Sequence, residues 1–258
     1  MSQSQCFACQ KKVDASSILC PYCAGPPIHQ TIDEAVMEMV TLVEKLNVKV
    51  ADLRTYFTTL GLPPSDKRNQ TLAVLNFLFL RLSHQLISYH ELTTNPNNAS
   101  RKEILEKNSH VPQQSLDTMV VGFDILNQRD FLVGFLFIIE DFLESVNKIL
   151  KNQTSNNGYK NLVKHVVNEL FGMNADSELF RELYFPAIVR NSLHKGGIHT
   201  ENDYNGKIDG VFFKFENGKP VHGGWRNIYF FCDKVLDAIN QILKNKQIEN
   251  IPIPSTSI

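Results

Sequence analysis

A chain of 258 residues, 43% of them hydrophobic, is long enough for one large domain or two small ones, and apolar enough to bury a substantial core, which excludes wholesale disorder. A formal net charge of −1 excludes a surface that is basic all over, as a general nucleic-acid coat would be, and leaves room for a local basic patch. Seventeen Phe against a single Trp point to a helical core packed with Phe and Leu.

The first elements are set by cysteine. Cys6-Phe7-Ala8-Cys9 and Cys20-Pro21-Tyr22-Cys23 are two CxxC turns separated by ten residues. Each turn places two thiolates on one ion, and the pair completes a tetrahedron, so one structural Zn²⁺ per chain is expected on Cys6, Cys9, Cys20 and Cys23. All four positions are filled, which leaves no open site for a catalytic water. Disulfides and a thioredoxin-like redox pair are the alternatives. The N-terminus carries no basic segment followed by an apolar run, so a reducing cytoplasm is the expected compartment. Residues 1–26 resemble the short zinc ribbons found at the ends of microbial proteins, which implies a docking or stabilising part.

Residues 27–250 read as one helical domain. Thr31-Ile32-Asp33-Glu34 has the form of a capping box, and apolar residues recur at Val36, Val40, Val43, Leu46, Val50 and Leu53, three or four apart. Gly61-Leu62-Pro63-Pro64 stops that helix. A second covers Lys67 to Glu91, with Leu72, Leu75, Phe79, Leu82 and Leu86 on one face. Ser100-Arg101-Lys102-Glu103 opens a short helix, and Asp117 to Leu150 forms one or two long ones. Their most apolar stretch, Phe131 to Leu143, is interrupted by Glu140 and Asp141 and falls short of the roughly 20 residues a bilayer needs, so no membrane span is expected. Tyr159 to Phe171 is amphipathic, with Gly172 as its cap. Glu178 to His194 is helical in pattern, with a kink or restart at Pro186. Val211 to Phe215, a turn at Glu216-Asn217-Gly218-Lys219 and Pro220-Val221-His222 read as a β-hairpin, within an excursion near 198–222. Asn227 to Lys244 closes the domain, and residues 251–258 read as a frayed tail. Cys232 reads as a buried thiol.

Arg190-Asn191-Ser192-Leu193-His194 is the segment with chemistry. Arg190 and His194 are four apart and share a helix face, in the last turn before Gly196-Gly197. There the helix dipole favours a protonated imidazole. A guanidinium can neutralise a phosphodiester oxygen, and an imidazole can move a proton to or from a hydroxyl. The competing reading makes both side chains caps on helix-end carbonyls. No P-loop, dinucleotide fingerprint, HExxH or nucleophile elbow is present.

Over residues 115–245 the kinked helix ending in RNSLHKGG, the hairpin and the closing helix resemble the HEPN superfamily of helical nucleotide-binding proteins. That resemblance implies a mainly α fold, a HEPN-like helical bundle with one hairpin insertion behind a small zinc ribbon. It also implies a homodimer and a metal-independent RNase site on Arg190, Asn191 and His194, in proteins common among microbial toxin and antiphage systems. Only three residues separate Arg190 from His194, fewer than is usual in that superfamily. A non-catalytic, dimerising interaction module, whose ribbon docks a protein or nucleic-acid partner, is the alternative.

Overall fold

The computed structural model describes residues 3–6, 10–14, 19–23, 32–94, 103, 107, 113–151, 158–221 and 224–254. Two short antiparallel strands open it, β1 (Gln3–Gln5) and β2 (Lys12–Asp14). Six helices follow among the described residues: α1 (Ile32–Thr59), α2 (Lys67–Thr94), α3 (Gln113–Lys151), α4 (Gly158–Phe171), α5 (Glu178–His194) and α6 (Trp225–Leu243). Between α5 and α6 lies an antiparallel hairpin, β3 (Tyr204–Ile208) and β4 (Val211–Phe215). The expected mainly helical fold with a small two-stranded hairpin between its helices is present, and β1 and β2 form a second two-stranded sheet at the N-terminus. Thr31, and most of the short helix expected from Ser100, lie outside the described residues.

The periodicities predict the packing. Val40, Val43, Leu46, Val50 and Leu53 of α1 are buried, as are Leu72, Leu75, Phe79, Leu82 and Leu86 of α2. The two helices pack antiparallel around the turn at Gly61, and α3 runs back along α2, where Phe79 lies 6.0 Å from both Phe131 and Phe135. Helix α4 packs on α3 and α5, and α6 seals the bundle against α1 and α5. Each buried Leu or Phe removed from water contributes about 1.5–3 kcal/mol, so this one core dominates the fold's stability.

Three local expectations are corrected. Of the kink or restart expected at Pro186, the restart does not occur, since helix α5 is one element from Glu178 to His194. Every residue from Glu182 to Val189 is buried, and that packing sustains the helix across the donor that proline lacks. The hairpin pairs β4 with the strand before it, in register Ile208↔Val211, not with Pro220–His222. Its turn is the dipeptide Asp209-Gly210, both at positive φ, the two-residue geometry that matches strand twist. Pro220 instead bridges Ile198. The tail, finally, is held as far as Pro254. Arg68 and Asp66, both fully buried, pair at 2.8 Å, and Arg68 also donates to the carbonyls of Ile248 (3.2 Å), Glu249 (2.8 Å) and Ile251 (2.8 Å). The Asp66 carboxylate accepts the N–H of Ile253 at 2.9 Å, and Ile253 is fully buried. Residues 255–258 lie outside the described set.

A charged clasp fixes the hairpin turn. Lys234 of α6 meets Asp209 at 2.6 Å, and Lys49 of α1 bridges Asp233 and Asp237 at 2.5 and 2.8 Å. Glu182 is buried beside this cluster. Burial, then repulsion from Glu178, Asp237 and Asp209, outweighs attraction to Lys234 and pushes its carboxyl up to about 7. A raised acid binds its proton more tightly folded than unfolded, so ionising it costs stability as pH rises from about 4.5 to 7. Glu182→Gln should therefore stabilise the protein by about 1–2 kcal/mol at pH 8 and change nothing at pH 4, with the lysines screening part of the repulsion. Urea unfolding at the two pH values checks this, and equal curves for both proteins at pH 8 contradict it.

Candidate functional site

Helix α5 starts cleanly. Ser177 is its N-cap, and its hydroxyl accepts the N–H of Phe180 at 3.2 Å. The other end carries Arg190, Asn191 and His194. The buried Ser192 hydroxyl turns back to the carbonyl of Ile188 at 2.9 Å, and the N–H groups of Lys195 and Gly197 both close on the carbonyl of Ser192. This fixes the last turn without Arg190 or His194. Among the described residues neither of those side chains caps a carbonyl.

Arg190 is half-buried. Its Nε and Nη2 both donate to the Oδ1 of Asn191, at 3.2 and 3.1 Å. Asn191 in turn donates from Nδ2 to Glu201 Oε1 at 3.3 Å, in the loop before β3. Arg190 also lies close enough to Glu140 of α3 and Tyr159 of α4 for its charge to act on both. Burial pushes the Glu140 carboxyl up and Glu144 adds to this, against the pull of Arg190. Asn191 thus orients the guanidinium, and Glu201 orients Asn191. His194 is exposed one turn further on the same face, and no hydrogen bond joins it to Arg190 among the described residues. His199, by contrast, is buried, with its ring Nε2 2.9 Å from the carbonyl oxygen of Asn202, and belongs to the loop's scaffold. His222 lies outside the described residues.

Beside this face stands a pair of tyrosines that the motif does not announce, Tyr184 buried and Tyr204 partly exposed. Tyr184 and Tyr204 pack edge to face at 5.5 Å, and Lys160 of α4 lies 4.6 Å from the ring centre of Tyr204 and 5.6 Å from that of Tyr184. Tyr184 precedes Asn191 by two turns. Burial, with the charge of Glu201, pushes its hydroxyl up to about 12. Strand β3 reaches this position because Gly206 passes directly over Arg181; a Cβ there would stand 2.4 Å from the Arg181 side chain. Arg181 Nε fixes the strand by donating to the carbonyl of Lys207 at 2.9 Å. The sequence signals for Lys160, Tyr204, Glu140 and Glu201 are absent, since each comes from a different element.

The second site is at the N-terminus. The Sγ atoms of Cys6, Cys20 and Cys23 all lie within 4.8 Å of one another, and these three can hold a metal ion. Cys6 and Cys23 are 3.6 Å apart, too far for the roughly 2.05 Å of a disulfide. Thiolates about 2.3 Å from one tetrahedral ion stand roughly 3.8 Å from each other, which this spacing fits. Cys9 lies outside the described residues. The module is joined to the helical body: Leu19 enters the main core, and the N–H of Phe212 on β4 donates to the carbonyl of Pro21 at 3.0 Å. Cys232 is fully buried, as expected, and burial raises its thiol well above the ordinary value.

No family model matches this sequence, no curated protein is significantly similar to it, and no solved structure matches its fold.

Proposed function

We propose that this chain is a HEPN-like, homodimeric RNA-binding protein of the cytoplasm that cleaves RNA through Arg190 and His194, with a zinc ribbon at its N-terminus. The observation that carries this reading is the end of α5. A guanidinium there is oriented by Asn191 and an exposed imidazole stands on the same helix face, while backbone groups and the Ser192 hydroxyl close the helix. Partly exposed Tyr204 and exposed Lys160 add an aromatic and a cationic contact of the kind single-stranded RNA uses for stacking. In this mechanism Arg190 holds the scissile phosphate and Asn191 keeps its fork in place. His194 takes a proton from the 2′-hydroxyl or gives one to the leaving oxygen. A role in a microbial toxin or antiphage system follows from the HEPN resemblance. Incubating RNA with the purified protein in EDTA tests the reading, with His194→Ala as the control.

A second reading has its own support. Glu140 and Glu201 stand beside Arg190 and repel an RNA phosphate. If RNA is neither bound nor cut, the chain is a dimerising interaction module.

For the ribbon, Cys6, Cys20 and Cys23, with Cys9 as the fourth thiolate, would hold Zn²⁺. The ion would stabilise the fold of the first turns and leave Pro21 and Leu19 in position against the body. Elemental analysis of protein purified without chelator should find one zinc per chain. Cys6→Ser should lose it while most of the helical circular dichroism remains, because the helices have their own core. Full metal retention by Cys6→Ser contradicts this assignment.

A further inference from the structure

The outer face of α2 and α3 is apolar. Phe77 is 70% exposed and Phe137 is 60% exposed, and Val74, Leu80 and Ile87 are each about half exposed, at 49%, 48% and 46%. On α2, Val74, Phe77 and Leu80 recur every three residues around the side opposite the buried Leu75, Phe79 and Leu82. Phe137 lies on α3, one turn from Gly134, where the two helices touch: a Cβ on Gly134 would meet Leu78 at 3.9 Å. The stretch Lys67–Ser88 is the one among the described residues long and apolar enough to cross a membrane, with a third of that window buried. Its inner face is nevertheless committed to the core.

A ring such as Phe removes about 150–250 Å² from water when buried, so the five side chains leave on the order of 500 Å² of apolar surface in solvent. That is near the upper limit for an ordinary monomer. With a polar rim it approaches the roughly 800 Å² per partner of a stable interface.

We propose that this face is the contact between two copies of the chain, with α2 of one copy lying on α3 of the other. This rests on the homodimeric reading above and names its surface. The helices run antiparallel, with Lys67 paired to Asp141 and Phe79 beside Phe131 and Phe135. A two-fold axis along their groove therefore brings Phe77 onto Phe137 of the second copy and Arg81 to the level of Asp130. The charges allow it: Arg81 and His84 stand on the exposed side of α2, and α3 offers Asp130, which is 68% exposed and also holds Arg129 at 3.2 Å, with Glu144 and Lys148 further along. Two copies so arranged set unlike charges against each other. A lipid surface needs a basic flank to meet anionic headgroups, and the flank on α3 is of mixed sign, with Arg129 and Lys148 beside Asp130 and Glu144.

Sedimentation equilibrium of the full chain across about 1–50 µM, a range that brackets micromolar association, tests the surface, with circular dichroism reporting the fold. The wild type should be a dimer, and Phe77→Glu a folded monomer whose dissociation constant rises by at least about 100-fold, as loss of a central aromatic anchor does. Arg81→Glu should weaken the dimer, and adding Asp130→Arg should restore it. A monomeric wild type overturns both the surface and the dimeric reading. A dimer that survives Phe77→Glu overturns the surface alone. Failure of Asp130→Arg to rescue overturns the α2-on-α3 arrangement. Binding of a monomeric wild type to vesicles of phosphatidylcholine and phosphatidylserine assigns the face to lipid instead.

Discussion

Replacing Arg68 with methionine should remove about 3–5 kcal/mol of folding stability, the loss typical of breaking a buried ion pair from one side. Asp66 and Arg68 are both fully buried, so the substitution leaves an uncompensated carboxylate in the core. It also strips the carbonyls of Ile248, Glu249 and Ile251 of their donor and frees the segment that Ile253 anchors. Burial pushes the Asp66 carboxyl up, but the Arg68 guanidinium and the N–H groups of Ile253 and Arg68 together outweigh it and hold it below its ordinary 3.8. A depressed carboxyl contributes its stability above that value and loses it as pH falls through the folded pKa, so the wild-type advantage should shrink in strong acid. For a chain of this length the loss corresponds to roughly 6–20 °C in Tm. Denaturant unfolding at pH 7 measures it. Adding Asp66→Asn should recover part of the loss, because the stranded charge goes with it. A loss below about 1 kcal/mol would mean that water reaches the pair.

His194→Ala should lower RNA cleavage by about 10² to 10⁴, the usual contribution of one general acid–base group. Arg190→Lys should fail as well. The guanidinium gives two of its N–H groups to Asn191 and keeps others for a phosphate, and an ammonium cannot keep both sets of contacts. Attack by the RNA's own 2′-hydroxyl should leave a 2′,3′-cyclic phosphate and spare DNA, which lacks that hydroxyl. Both variants should fold as the wild type does, since His194 is exposed and Arg190 half-buried. Gel analysis of a labelled oligoribonucleotide in EDTA, with end-group analysis of the products, measures the effect. Cleavage by both variants at the wild-type rate removes Arg190 and His194 from the chemistry and leaves the interaction reading.

Helix faces are legible in the sequence because a period near 3.6 is written directly in residues such as Leu72, Leu75, Phe79 and Leu82. The Arg190–His194 relation is legible for the same reason, both being on one helix. What surrounds them is not. Glu201 meets Asn191 from a loop, Glu140 approaches from α3 and Lys160 from α4, and no local spacing encodes such meetings. The hairpin misleads because Glu216-Asn217-Gly218-Lys219 looks like a turn between strands, while Asp209-Gly210, the stronger two-residue signal, follows a polar strand with little apolar alternation. The tail misleads because the partners of Ile253 sit at the start of α2, far away in the chain.

The bond between Phe212 and Pro21 has a consequence for synthesis. It joins residues 191 positions apart, so the surface that receives the N-terminal turns is made late in synthesis. At about 5–20 residues per second, Leu19 and Pro21 wait roughly 10–40 s on the ribosome before β4 emerges to meet them. An ion captured by Cys6, Cys20 and Cys23, which cluster with Val13 apart from the main core, would shield the thiols from oxidation before the N-terminal turns dock on the body.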